Sequence, residues 1–235
     1  MAALTDIPAR ALAIYAHPDD PEVSCAGTLA RWGAHGTEVH LLIANAGEKG
    51  AVPPSTDASA LSALRAAEAD AAAAVMGLAG HEMLGIPDGE LENTLELRAE
   101  LVARIRALRP EVVIAPDPTA VFFGSGYVNH HDHRALGWAV LDACAPMAAS
   151  PLYFPDAGPA HRVSTVLLSG TLEPDAWVDI SAQLAVKVDA LRCHASQLGD
   201  GLDVVAAVVE ARAAEAGRAG GMHYAEGFRR LSFGA

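Results

Sequence analysis

The chain predicts an α/β fold: a Rossmann-like, mostly parallel sheet with helices on both faces, forming a single three-layer domain over residues 1–235. Three observations carry this expectation. Short apolar runs alternate with longer segments at helical spacing, the pattern of parallel strands joined by crossover helices. Val112-Val113-Ile114-Ala115 is apolar at every position, as a strand covered on both faces must be. No linker, internal repeat or compositional break divides the 235 residues, which fit one large domain.

Ala11-Leu12-Ala13-Ile14-Tyr15 opens the sheet as a buried strand. Pro21 suits the first position of the following helix, where Asp19 or Asp20 can cap the free amides. Val23, Ala26, Gly27, Ala30 and Ala34 give that helix a small-residue face, and Gly36 stops it. Glu38 to Ala44 reads as the second strand. An irregular loop then runs from Asn45 to Ser59, with Gly47, Gly50, Pro53 and Pro54. Leu61, Leu64, Glu68, Ala71, Ala72, Val75 and Leu78 mark a second helix ended by Gly80. Met83 to Ile86 reads as a short third strand entering a Pro87-Asp88-Gly89 turn. Leu97, Leu101, Ile105 and Leu108 define a third helix, stopped by Pro110, before the fourth strand at Val112 to Ala115.

The loop from Pro116 to Asn129 is long for a compact domain, and loops of that length tend to carry function. It leads to His130-His131-Asp132-His133 at the start of a helix with Leu136, Val140 and Cys144 on one side. Val163 to Leu168 is a fifth strand, and Leu184, Val188 and Leu191 mark the helix after it. The remainder reads as helical around Val204 to Ala216 and glycine-rich beyond.

With 51% hydrophobic residues but only 5% aromatic ones, the core is built from Ala, Leu and Val. A formal net charge of -13 excludes nucleic acid as the partner, because phosphate binding needs clustered Lys and Arg. No apolar run approaches the ~18 residues of a membrane helix. The N-terminus lacks the basic start and apolar core of a secretory signal. Cys25, Cys144 and Cys193 lie far apart and form no CxxC pair, against a disulfide framework or a thiolate metal site. The expectation is a cytoplasmic protein, with no membrane partner, acting on a small molecule.

The chemistry sits where strands end. His17-Pro18-Asp19-Asp20 follows the first strand, His130-His131-Asp132-His133 follows the long loop, and Glu48 and Asp88 lie in turns after other strands. In a parallel sheet all open on the carboxyl edge, where ligands bind. Two imidazoles and one carboxylate make a metal site with open positions for water. Because Asp19 and Asp20 are adjacent, one can bind the ion while the other acts as general base. Either segment alone reads as a helix cap with surface residues; both together, each past an apolar strand, favour a metal. His35, His40, His81, His161 and His223 read as solvated or structural.

On these motifs the chain resembles the LmbE/PIG-L-like zinc-dependent de-N-acetylases. The match runs through Ala16-His17-Pro18-Asp19-Asp20 with Glu22, Gly47-Glu48, Arg65 and Glu68, and Pro87-Asp88-Gly89-Glu90-Leu91. It continues through His130-His131-Asp132-His133, His194-Ala195-Ser196-Gln197 and Tyr224-Ala225-Glu226-Gly227-Phe228-Arg229. The resemblance implies zinc (Zn2+), with ferrous iron (Fe2+) or another divalent ion as the alternative, held by His17, Asp20 and His133. It implies Asp19 as general base, returning the proton to the leaving amine. His130 would stabilise the oxyanion or protonate the leaving group, with Asp132 orienting its ring. Glu48, Arg65 and Asp88 would line the sugar side of the pocket, and Tyr127 is the nearest match to a mobile tyrosine of some members. His131 stands where many members have Pro and is taken as a bystander.

The implied substrate is an N-acetylated amino sugar conjugate, and relatives point to homo-oligomers assembled through helical faces. For Arg65 the plain alternative is an intrahelical pair with Glu68, and for Asp88 a simple turn. A ferrous oxygenase fits the His-x-Asp…His pattern but sits poorly on an alternating α/β chain. A nucleotide-binding Rossmann protein would need glycines where His17 to Pro21 stand. A scaffold that binds a metal without turnover is the remaining alternative.

Overall fold

The computed structural model describes residues 2–50 and 56–234. Ten strands lie in chain order at β1 (Ala2–Ala3), β2 (Arg10–Tyr15), β3 (Glu38–Ile43), β4 (Gly80–Met83), β5 (Val112–Pro116), β6 (Phe122–Phe123), β7 (Tyr127–Val128), β8 (Thr165–Ser169), β9 (Ala176–Asp179) and β10 (Ala225–Ser232). Eight of them form one sheet in the order β1-β9-β10-β8-β5-β2-β3-β4, and β6 and β7 form a separate hairpin. The run β8-β5-β2-β3-β4 is parallel, while β10 is antiparallel to both neighbours.

Eight α-helices cover the sheet: α1 (Asp20–Ser24), α2 (Ala26–Ala34), α3 (Ala58–Met76), α4 (Leu95–Leu108), α5 (His131–Asp142), α6 (Leu184–Leu191), α7 (Ala195–Leu198) and α8 (Leu202–Gly220). Strand β2 shows why there are three layers. Its residues alternate between faces, and every one from Ala11 to Tyr15 is buried. Leu12 and Ile14 pack with Leu101, Ile105, Leu136 and Val140 of α4 and α5. Ala11, Ala13 and Tyr15 pack with Leu29, Trp32, Ala72 and Met76 of α2 and α3 on the other side. Asp57 caps α3 by accepting from the amides of Ser59 and Ala60, and Thr94 caps α4 at Leu97, each cap stabilising by about 1 kcal/mol.

Several elements differ from the sequence expectation. The first helix is broken at Cys25 into α1 and α2, because the Cys25 backbone leaves helical geometry there, at φ -145° and ψ 10°. Helix α3 ends at Gly77, not Gly80. The third strand lies at Gly80–Met83 rather than Met83–Ile86, since pairing with His40 to Ile43 sets its register. The long loop contains the β6–β7 hairpin. The tail beyond α8 is a strand, β10, instead of irregular chain, and β9 has no counterpart in the expectation. Pro53 and Pro54 of the expected loop lie outside the described residues.

Strand β10 is staggered. Arg229 to Ser232 pair with β8, whereas Ala225 to Phe228 pair with β9. Strand β9 therefore stands beyond the carboxyl end of β8 and walls one side of the edge where β2, β5 and β8 finish. Among the described residues, no helix is long and apolar enough to cross a membrane.

Candidate active site

Strand β2 delivers His17, Asp19 and Asp20 to the carboxyl edge, β3 delivers Asn45 to Glu48, and β4 leads to Asp88. Strand β5 leads through the hairpin to Asn129 and α5. Helix α5 reaches this edge through a close contact: a Cβ at Gly137 would stand 2.6 Å from Pro116 O at the end of β5. One turn earlier on α5, His133 is thereby brought over the end of β2.

Three donors converge there. His17 Nδ1 lies 3.1 Å from His133 Nε2. The Asp20 carboxylate is 3.4 Å from the former and 3.1 Å from the latter. The outer nitrogens fix both tautomers. Asp88 is a carboxylate and can only accept, so His17 Nε2–H donates to its Oδ1 at 3.1 Å. Asn129 donates through Nδ2 to Ala120 O at 2.8 Å, so its Oδ1 accepts from His133 Nδ1–H at 3.0 Å. His17 Nδ1 and His133 Nε2 then face each other beside a carboxylate, an arrangement that a shared cation, a proton or a metal ion, resolves. Two nitrogens on one zinc, each about 2.0–2.1 Å from it in a tetrahedron, stand about 3.3 Å apart. The donor set fits a divalent ion, with Asp88 and Asn129 as the outer partners that orient the ligands.

Electrostatics point the same way. Burial opposes charging of His17, but its hydrogen bond to Asp20 and the charges of Asp20, Asp88 and Asp132 raise it to about 9. Burial works against the Asp20 carboxylate, yet His133 and His17 hold it well below the usual carboxylate range. Such concentrated negative charge around two imidazoles suits a cation.

Asp19 is turned away from the ligand set. Its φ of 100° places a non-glycine residue in the left-handed region, a strained conformation of the kind that clusters at functional sites. It makes no capping bond to α1. Its Oδ1 instead meets Arg65 Nη2 at 3.4 Å, while Arg65 also donates to Gly47 O at 2.7 Å. Gly47 has φ 64°, and a side chain there would run into the Arg65 guanidinium. Burial and the Asp20 charge push the Asp19 carboxyl up to about 6, against the pull of Arg65 and His194. A carboxyl in that range is matched to general-base work near neutral pH.

His130 lies at the rim, its ring 4.7 Å from that of His17. Its Nδ1 accepts the Asp132 amide at 3.2 Å, so Nε2–H is free to donate outward. Burial and the neighbouring His17 charge lower its pKa and favour the neutral ring. Asp132 thus holds His130 through its backbone, whereas its buried Oδ2 accepts from Asn45 Nδ2 at 3.1 Å and Gly89 N at 2.8 Å. The carboxylate orients a loop rather than the His130 ring.

The remaining expected residues fall around this centre. Glu48 Oε1 accepts the Asp88 amide at 2.9 Å. Asp88 is more than a turn residue, since its second oxygen accepts from Lys49 N at 3.1 Å. Arg65 is buried and pairs with Asp19, while Glu68 turns instead to the Ser196 amide and hydroxyl. Tyr127 stands on the hairpin, 54% exposed, with its ring 5.9 Å from Phe123. His131 is exposed, away from the ligands. Sequence reasoning passed over Asn45 and Asn129, which stand two residues and one residue beyond a strand end; Asn129 orients His133, and Asn45 holds Asp132. His194 is fully buried, 3.3 Å from Glu22 Oε2 beneath Asp19.

Two histidines and a carboxylate aimed at one point, with a second carboxylate beside them, form a candidate site for a metal ion on an α/β domain. The chain belongs to the PIG-L family, described as GlcNAc-PI de-N-acetylase, whose model matches residues 12–144. It is 30% identical over 224 residues to the diacetylchitobiose deacetylase of Thermococcus kodakarensis, covering 94% of this chain and 82% of that one. It is 31% identical over 242 residues to the 1D-myo-inositol 2-acetamido-2-deoxy-alpha-D-glucopyranoside deacetylase of Mycolicibacterium smegmatis, covering 80% of each. The solved N,N'-diacetylchitobiose deacetylase of Pyrococcus horikoshii superposes with a TM-score of 0.87 at 28% identity, over 97% of this chain and 88% of the other.

Proposed function

We propose that this protein is a zinc-dependent hydrolase that removes the acetyl group from an N-acetylglucosamine-containing small molecule. The observation that carries the proposal is the convergence of His17 Nδ1, His133 Nε2 and the Asp20 carboxylate, with Asp19 adjacent and uncommitted to the ligand set. Relatives that deacetylate diacetylchitobiose and an acetamido-glucosyl inositol support the substrate class.

His17, Asp20 and His133 hold the ion. When bound, zinc polarises the carbonyl and lowers the pKa of a coordinated water. Asp19 accepts the proton of the attacking water and passes it to the amine nitrogen as the C–N bond breaks. Arg65 keeps that carboxylate from rotating into the ligand set. His130 Nε2–H is placed to hydrogen-bond the developing oxyanion, an interaction stronger in the transition state than in the bound amide. Glu48 and Asp88 offer carboxylates on the flank where sugar hydroxyls need acceptors.

The test is metal analysis of purified protein together with amine release from an N-acetylglucosamine conjugate. The expected result is one equivalent of divalent ion and chelator-sensitive release. Protein that holds zinc yet releases no amine from any N-acetyl sugar would point to the scaffold alternative.

A further inference from the structure

A cleft of about 900 Å3 leads away from the metal donors. Asp19, Asp20 and His133 form its near end, and Glu48, Arg65, Asp88 and His130 are not among its walls. The His17 ring divides the two regions: Nε2 faces Asp88, and Nδ1 faces His133 and the cleft side. An amide also has two sides, the nitrogen with the sugar and the carbonyl carbon with the acyl group. If the sugar lies on the Glu48–Asp88 flank, the acyl group points across the metal into the cleft.

Its size and lining do not suit a methyl group alone. Clefts of about 300–1,000 Å3 hold ligands of drug size. Several buried polar groups along it are satisfied within the protein, while Arg212 and Glu215 of α8, both exposed, also line it. Ser169 Oγ meets Tyr15 OH at 2.7 Å. Glu226 accepts from Lys187 Nζ at 2.6 Å and from the amides of Gly27 and Thr28. Asp117 accepts from the amide and hydroxyl of Thr119. Apart from those two charged side chains, what remains for a ligand is largely apolar: Val23, Phe123, Tyr127, Leu172, Pro174 and Ala216. Leu172 is 56% exposed and Tyr127 54%, apolar surface that a hydrocarbon chain would take out of water.

We infer that the cleft between the β6–β7 hairpin and α8 receives the acyl side of the scissile amide, so that the protein hydrolyses N-acyl amino sugars with chains longer than acetyl. This rests on the function proposed above. The reaction is the same: water's oxygen bonds to the acyl carbon, the C–N bond breaks, and a water proton goes to the nitrogen. A carboxylic acid and the free amino sugar are the products, with no further reactant.

The test is kcat/KM of the zinc-loaded protein for N-acetyl-, N-butanoyl- and N-octanoylglucosamine by amine release. Binding of the octanoyl compound to Asp19→Asn by calorimetry is a second readout. Octanoyl is expected to exceed acetyl by about tenfold or more, since each buried methylene is worth a factor of about four. Leu172→Asp and Ala216→Trp are expected to remove that advantage and leave the acetyl rate within about twofold. A tenfold fall from acetyl to butanoyl, or variants that lower both rates equally, overturns the inference and leaves the deacetylase standing. If zinc-loaded protein hydrolyses none of the three, both readings fall.

Discussion

Asn129 joins the His133 ring to the hairpin through one side chain: its Oδ1 accepts from Nδ1 at 3.0 Å, while its Nδ2 donates to Ala120 O at 2.8 Å. Its backbone amide adds a bond to Val121 O. The position of the His133 ring is therefore tied to that of the β6–β7 hairpin. Asn129→Leu is expected to weaken zinc binding by about 10–100-fold, read by competition with a chromophoric chelator. Unchanged affinity would mean that the ring is held by other contacts.

In the proposed reaction the neighbours Asp19 and Asp20 have different duties. Asp19→Asn keeps the ligand set and is expected to retain zinc while losing about a hundredfold to ten-thousandfold in kcat. His133→Ala removes a ligand and is expected to lose the ion itself. Elemental analysis beside single-turnover amine release separates the two outcomes.

Removing the ion is expected to stop hydrolysis without unfolding the domain, because both core layers form from apolar packing remote from the ligands. At a free zinc concentration a hundred times Kd the ion adds about 2.7 kcal/mol. For a chain of this size, that corresponds to a fall in Tm of about 5–10 °C on chelation. Calorimetry before and after zinc is restored checks the size and the reversibility of the shift.

Arg106 of α4 is buried and donates to the carbonyls of Met147, Ala148, Ser150, Tyr153, Phe154 and Gly158. One guanidinium thus folds the whole segment between α5 and β8. Arg106→Met orphans these acceptors, and each one left buried costs about 1–3 kcal/mol. The expected loss is at least about 3 kcal/mol in urea unfolding, and Arg106→Lys should rescue little because an ammonium cannot span the same fork.

Lys187 and Glu226 form a buried pair at 2.6 Å. Lys187 also donates to Val23 O of α1, and Glu226 caps α2 at Gly27 and Thr28. Lys187→Met strands the carboxylate and is expected to destabilise by about 3–5 kcal/mol. Lys187→Met combined with Glu226→Gln should cost less than the sum of the single changes, a coupling that a double-mutant cycle measures.

What could be read from the sequence was whatever a local pattern encodes. His17, Asp20 and His133 stood out because each follows a strand, and strand ends in a parallel sheet share one edge. Strand β10 did not stand out. Gly227, Arg229 and Arg230 dilute its apolar signal, and Glu226 is buried only because distant Lys187 and two α2 amides receive it. The break at Cys25 carries no glycine or proline to announce it. Strand β4 takes its register from β3 and not from its own residues. Helical spacing alone offers Arg65 a pair with Glu68 as the plain alternative to a pocket role, but the two buried side chains meet partners 46 and 128 residues away.

Gly47 closes a chain of dependence that redesign has to respect. The volume its missing side chain leaves is where the Arg65 guanidinium sits, and that guanidinium meets Asp19. Anyone grafting a new 45–50 loop to alter sugar preference inherits this constraint. Even alanine at position 47 would have to displace the Arg65 guanidinium and, with it, the contact to Asp19.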